Sequence, residues 1–313
     1  MAGPVAFTFG IAGAGAIGSM IAAHLAKAGA PVLAYDVRKE LLEAIAARGI
    51  RVTGASPVEA RITGTSATLA GLSEAGANVL LVSLKAPTFR RELCRVLSGV
   101  RGNTDVVVVQ NGIDNEDMLK EGVPAERIFR MVVNFAGNYV SDGVVNMTFH
   151  NPPSYMGALA PGGEARARAL ASALSAAGLA TEFTLGIKAK EWAKTVLNAA
   201  MSPVCGVTGQ TMKQAFDLPE THAVTEALMR EGIAVAEALG YGMGEGFFEH
   251  GMAYLSRAGN HKPSLLVDIE AGVETEIDFL NGAIVRRAAE AGVPVPYNAA
   301  LTALVKGKEQ AGR

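Results

Sequence analysis

Three glycines in G-x-G-x-x-G spacing, Gly13, Gly15 and Gly18, follow an apolar run that begins at Phe7, and Asp36 closes the next apolar run. The first glycine permits a tight turn, the second lets the backbone approach a pyrophosphate, and the third lets a helix pack closely on a sheet. An acid about 20 residues on can accept a hydrogen bond from a ribose 2′-hydroxyl. The residues Gly13, Ala14, Gly15, Ala16, Ile17 and Gly18 therefore read as a dinucleotide site at a helix N-terminus, where free N–H groups and the dipole suit phosphate. The triplet alone is weak in a chain of 36 glycines, and its weight comes from the strand, helix and acid around it. Asp36 would repel a 2′-phosphate, which favours NAD over NADP, whereas Arg38 is placed to contact a phosphate or stack on adenine. The plain alternative for Asp36 is a helix cap ahead of residues 39–48.

A second polar set lies further along. Lys194, Asn198 and Ser202 stand at i, i+4 and i+8, so a cation, an amide and a hydroxyl share one stripe of a helix expected over about 188–201. Trp192, Val196 and Ala199 fall on another side. Such a stripe either serves one ligand or is simply a solvated face. Lys85 and Asn111 follow the apolar runs 78–84 and 105–109, and the carboxyl edge of a parallel sheet is where ligands bind. Asn111-Gly112 equally fits a turn.

These residues need a frame. Strands are expected at 5–12, 32–35, 78–84, 105–109, 128–136, 143–150, 154–159 and 180–184, with helices at 16–28, 39–48, 87–97 and 165–177. The pattern is an α/β Rossmann domain, doubly wound on a mostly parallel sheet, over residues 1–185. From 186 to 313 the pattern turns helical, interrupted by Gly and Pro, and forms a second, all-α domain.

Composition narrows the class. Half of the 313 residues are apolar, enough for sizeable cores, and a net charge of −2 offers no basic field for nucleic acid. Cys94 and Cys205 are too few for a disulfide framework and fit a reducing, cytoplasmic setting. No Lys or Arg precedes Lys27, but a signal peptide needs a positive start, and a spanning helix would not be broken by Gly10, Gly13, Gly15 and Gly18, so no membrane anchor is expected. His24, His150, His222, His250 and His261 lack the spacing of metal ligands, and no metal is expected.

Taken together, Leu80–Ala86, Gln110-Asn111-Gly112, Glu191-Trp192-Ala-Lys194-x3-Asn198, Ser264–Asp268, Thr275–Gly282 and the tail Gly292–Lys306 resemble the ketopantoate reductases, in order and spacing. The resemblance implies a 6-phosphogluconate-dehydrogenase-like helical domain, a homodimer, and an active site in the cleft between domains. Position by position it implies Lys194 as catalytic lysine, Glu276 as the acid that orients it, and Asn111, Asn198 and Ser264 as substrate-binding. Lys85, Asn111 and Glu276 would lie toward the cofactor. An ammonium beside a 2-keto oxygen can stabilise the charge that hydride transfer builds there and donate the proton. Ser264, after Pro263, binds a substrate carboxylate or caps a helix. Glu276, beside Thr275, is an orienting acid or a first-turn acid of a capping box.

Departures from the family pattern fall where substrate is recognised. Ser202-Pro203 stands where Asn-Pro is typical, so a shorter donor lines the substrate site, and Asp36 stands where many members lack an acid. The stretch Asn134–Tyr139 is polar and aromatic enough to shape a pocket, or else is a sheet-edge loop. The leading expectation is NAD(P)H-dependent reduction of a 2-keto acid, with ketopantoate as default substrate. An NAD-linked dehydrogenase of another bulky D-2-hydroxy acid, and a non-catalytic dinucleotide sensor, are the alternatives.

Overall fold

Runs such as Val79–Val82 and Asp105–Val108, apolar at nearly every position, form strands that must be covered on both faces. The computed structural model describes residues 7–311, so the expected start of the first strand at Val5 lies outside the described residues. Twelve strands are present among them: β1 Phe9–Ala12, β2 Val32–Tyr35, β3 Ile50–Gly54, β4 Val58–Ala60, β5 Gly64–Ser66, β6 Val79–Val82, β7 Asp105–Val108, β8 Ile128–Val132, β9 Phe135–Ser141, β10 Val144–His150, β11 Ser154–Ala158 and β12 Thr181–Phe183. Eight form one sheet in the order β12-β11-β8-β7-β6-β1-β2-β5, parallel throughout except where β11 meets β8. Alternate side chains enter cores on opposite faces: Ile11, Leu81, Val107 and Phe129 on one, Leu80, Val82, Val106 and Val108 on the other.

The remaining strands make a second sheet, β4-β3-β10-β9, that the sequence did not announce. The helix Ala16–Lys27 packs against β1 and β2 and also against β3, β4, β9 and β10. It is buried without a break from Gly18 to Leu25, which accounts for an uncharged opening that resembles a membrane segment by hydropathy. No described helix is long and apolar enough to cross a membrane.

Two expected elements are divided. The run 128–136 is β8 and β9, strands of different sheets, because Asn134 gives its N–H to Ser154 Oγ at 3.0 Å and its side-chain amide to the Pro153 carbonyl at 2.6 Å. The helix expected at 87–97 is two short ones, Ala86–Arg91 and Leu93–Ser98, broken at Glu92.

By contacts the chain forms two compact units. The first holds both sheets, up to Gln110 and again over Glu116–Ile187; the second holds Asn111–Asn115 and the chain from Lys188 onward. The second unit is helical, built from Ile187–Thr208, Met212–Asp217, Pro219–Ala238, Phe247–Ser256, Ser264–Glu270, Asn281–Ala291 and Pro296–Ala311. Trp192 anchors its core, fully buried and stacked on Tyr241 with centroids 6.0 Å apart.

The helix Ile187–Thr208 runs past its expected end near Met201 and straight through Pro203. Proline has no N–H, so the Ala199 carbonyl four residues back loses its helical donor. Asn281 replaces it: its side-chain amide donates to Ala199 O at 2.9 Å and to Asn298 Oδ1 at 2.9 Å, with both asparagines completely buried. Asn298 in turn donates to Glu231 Oε2 at 2.7 Å, and Glu231 also accepts the N–H groups of Tyr297 and Asn298 at the start of the last helix. Asn281 and Asn298 thus serve structure within motifs that the sequence reading used only for resemblance.

Candidate active site

The glycine turn has the local geometry a dinucleotide requires. Gly13 adopts φ +98°, closed to most side chains, and a Cβ on Gly18 would collide with the Gly13 carbonyl and the Ser83 hydroxyl. At Gly15 the reverse holds, since a Cβ there would have nothing within 4 Å, and the backbone face is open to an approaching phosphate. Gly15 is also the N-cap of the helix Ala16–Lys27 and brings no side-chain acceptor, so the first-turn N–H groups of this long helix are left for an anion.

Ala14, expected in the cofactor-binding turn, ties that turn to the acid. Its N–H donates to Asp36 Oδ2 at 3.0 Å, which fixes the acid beneath the turn. Asp36 is not a helix cap: the residue before Lys39–Arg48 is Arg38, without a side-chain cap bond. Its Oδ1 accepts from the Arg38 N–H and from Arg38 Nε, both at 3.1 Å. Lys85 stands exposed just beyond β6, at the strand edge where it was expected.

In the helical unit, Lys194 and Asn198 are half-buried and Ser202 is buried, spaced along the helix Ile187–Thr208. Asn111 comes within 3.4 Å of Glu276 Oε2 through its side-chain amide, although 165 residues separate them. Glu276 lies just before the 3₁₀ turn Ile277–Phe279, and the Thr275 hydroxyl accepts the Ile277 N–H at 3.2 Å. Ser264 is exposed and is the first residue of Ser264–Glu270; the capping position belongs to Pro263, so the helix-cap alternative falls away.

The segment Asn111–Asn115 is held firmly. The Ile113 N–H donates to Phe279 O at 3.2 Å, Gly112 at φ +93° packs too closely on the same carbonyl for any Cβ, and Asn115 donates to Asn111 O at 2.9 Å. Asp114, itself at φ +65°, accepts from Arg287 Nε at 2.7 Å and from Lys188 Nζ at 3.3 Å. Burial opposes ionisation of Asp114, but the Arg287 and Lys188 cations outweigh it and hold the carboxyl below the usual carboxylate range. The sequence reading missed Asp114 and Arg287, whose only local signal is an Asp beside an Asn-Gly turn. The neighbouring acids are charge-paired too, Asp117 with Lys120 at 2.7 Å and Glu116 with Arg130 at 4.0 Å.

Replacing Arg287 by Met should cost about 1–2 kcal/mol in urea unfolding, a charge-assisted bond discounted for partial exposure. Because folding lowers the Asp114 pKa, its contribution is present above about pH 3.8 and disappears as pH falls through the folded value. The gap between variant and parent should therefore close in acid; a gap constant to pH 3 would show that the loss is not electrostatic.

The Asn134–Tyr139 stretch divides. Asn134 and Phe135 turn inward, whereas Tyr139 lies exposed on β9, with the Arg38 guanidinium 5.0 Å from its ring centre.

Comparison with known proteins agrees with these elements. The model of the ketopantoate reductase PanE/ApbA family matches residues 9–161, and that of its C-terminal domain matches residues 186–309. A 2-dehydropantoate 2-reductase of Archaeoglobus fulgidus is 30% identical over 302 residues, covering 96% of this chain and 97% of the relative. Among solved structures, a D-mandelate dehydrogenase in ternary complex with NADH and anilino(oxo)acetate superposes with a TM-score of 0.87 at 27% identity, covering 98% of this chain and 99% of that one. The 2-dehydropantoate 2-reductase of Methylococcus capsulatus gives 0.87 at 26% identity, with 98% of each chain covered. An α/β fingerprint unit joined to a helical unit of this kind defines an oxidoreductase that works with a nicotinamide dinucleotide. Within that class, the chain belongs to the ketopantoate reductase family.

Proposed function

We propose that this enzyme reduces a 2-keto acid to the D-2-hydroxy acid, with ketopantoate as leading substrate and Lys194 as general acid. The observation that carries the reading is the donor set of the helical unit: Lys194, Asn198 and Ser202 along one helix, with Asn111 and Glu276 already paired at 3.4 Å. A reduced nicotinamide supplies the hydride when bound. Lys194 holds the proton, on Nζ, that neutralises the oxygen as negative charge develops there. Asn111, Asn198, Ser202 and Ser264 act as donors toward the substrate oxygens, and Glu276 keeps the ammonium and Asn111 aligned. On the fingerprint unit, Gly13, Ala14, Gly15, Ala16, Ile17 and Gly18 form the pyrophosphate turn, Lys85 stands at the cofactor edge, and Asp36 favours NAD, being spaced to accept from a ribose 2′-hydroxyl.

A second reading keeps the chemistry and changes the substrate. The superposition with a D-mandelate dehydrogenase holding NADH, together with Asp36 and the short Ser202, favours an NAD-linked enzyme for a bulkier 2-hydroxy acid. Initial rates of NADH and NADPH oxidation with ketopantoate and with phenylglyoxylate decide between them. We expect the higher kcat/KM with ketopantoate, and with NADH over NADPH. Faster turnover of phenylglyoxylate would transfer the assignment to the second reading, and faster turnover with NADPH would remove the role given to Asp36.

The enzyme acts as a homodimer, a reading supported by Tyr254, Val267 and Leu304 exposed on the helical unit, and in a cytoplasmic setting, supported by the unpaired Cys94 and Cys205. Light scattering on the purified chain tests the first.

A further inference from the structure

Asp36 and Arg38 give opposite indications about the cofactor, an acid that rejects a 2′-phosphate and a cation two residues away that would welcome one. The geometry shows which is committed. Arg38 reaches back onto Asp36 through Nε at 3.1 Å and Nη2 at 3.4 Å, while Asp36 itself is locked by the Ala14 N–H and is only 10% exposed. On its other side the guanidinium faces the ring of Tyr139, with 5.0 Å from Cζ to the ring centre. Tyr139 is not a loose surface ring. It pairs with Val145 in the ladder of β9 and β10, and its hydroxyl donates to Asp142 Oδ1. The second sheet thus reaches the acid end of the fingerprint with an anchored aromatic ring, more than a hundred residues away in sequence.

We infer that Tyr139 is a specificity-determining positioning residue: its tethered ring holds Arg38 against Asp36, so that the cation cannot swing out to a 2′-phosphate and the ribose site is kept for NAD. The inference rests on the NAD preference proposed above, and it explains how an arginine so close to the site fails to reverse that preference. The hold is a cation–π contact at a partly exposed site, and it adds to the Asp36 ion pair rather than replacing it.

The test is a fluorescence titration of NADH and NADPH into the purified full-length chain, read as the ratio of the two dissociation constants. Tyr139→Ala should lower the NADPH constant roughly two- to five-fold, the worth of an exposed cation–π contact, and leave the NADH constant near its parent value. Tyr139→Phe, which keeps the ring and loses only the Asp142 tether, should give a smaller gain. In an Arg38→Ala background Tyr139→Ala should give none, because the cation it releases is absent. An unchanged ratio in Tyr139→Ala would overturn the inference, and so would a gain that persists without Arg38. A parent chain that binds NADPH more tightly would instead overturn the NAD reading of Asp36, and it is seen in the parent titration before any variant is made. Tyr139 is 43% exposed, so its truncation leaves no core cavity, and the parent-like NADH constant verifies the fold.

Discussion

Lys194→Ala should lower kcat/KM for keto-acid reduction by roughly 10²–10⁴-fold, the usual worth of a positioned proton donor, while the NADH dissociation constant stays near that of the parent. The glycine turn and Lys194 belong to different units of the chain. A loss near 10³-fold corresponds to about 4 kcal/mol of transition-state stabilisation. Lys194→Arg sharpens the result. Arginine keeps the charge but does not give up its proton at working pH, so it should restore little of the rate if proton donation is the role. A fully active Lys194→Arg enzyme would reduce Lys194 to a positive charge near the substrate, and an active Lys194→Ala enzyme would remove it from the mechanism.

The second large effect is expected at a residue given no role toward the substrate. Asn281→Ala removes the one side-chain donor that serves both Ala199 O and Asn298 Oδ1, each at 2.9 Å and buried. Leaving two buried acceptors short should cost about 2–4 kcal/mol in urea unfolding. The mechanism predicts more than a number, because the need for Asn281 arises from Pro203. In Pro203→Ala the restored N–H can bond Ala199 O directly, so Asn281→Ala should cost roughly 1 kcal/mol less in that background. Strict additivity of the two substitutions would mean that Asn281 does not stand in for the missing helical donor. Since Ser202 immediately precedes the proline and Lys194 lies on the same helix, the double variant also tests whether this substitution of donors keeps the polar stripe in register.

What could be read from the sequence was local. The fingerprint declared itself because turn, helix start and acid all fall within about two dozen residues, and each needs a particular residue type. The strands β6 and β7 were legible as runs apolar at nearly every position. The second sheet was not, although its β10 falls on the strand expected at 143–150. Its strands β3 and β4 are short, half-exposed and separated by turn residues, with burial alternating along Ile50–Gly54 instead of forming a continuous run. The break between β8 and β9 was hidden for the opposite reason, since apolar residues continue across Val133 while the chain changes sheets. Pro203 is the clearest misdirection. A proline ordinarily marks a helix end, and nothing nearby in sequence says that an asparagine 78 positions later will take over the orphaned carbonyl.

The candidate site divides along the same line. Lys194, Asn198 and Ser202 share a helix, so spacing alone aligned them. The approach of Asn111 to Glu276 spans the chain, and no spacing argument could have produced it; resemblance supplied both positions, and the fold supplied their meeting. Asp114 and Arg287, which pair within the same unit, stood out only as an Asp beside an Asn-Gly turn.

The path of residues 111–115 bears on how this protein can be divided. A gene cut at the sequence boundary near 185 would yield a helical fragment whose Arg287 has no Asp114 and whose Phe279 carbonyl has no Ile113, while the other fragment would keep a five-residue loop with nothing to grip. The two units are therefore spliced rather than strung together. Evolution could exchange the helical portion of such a chain for another only if the incoming portion also accepted a short loop encoded in the middle of its neighbour.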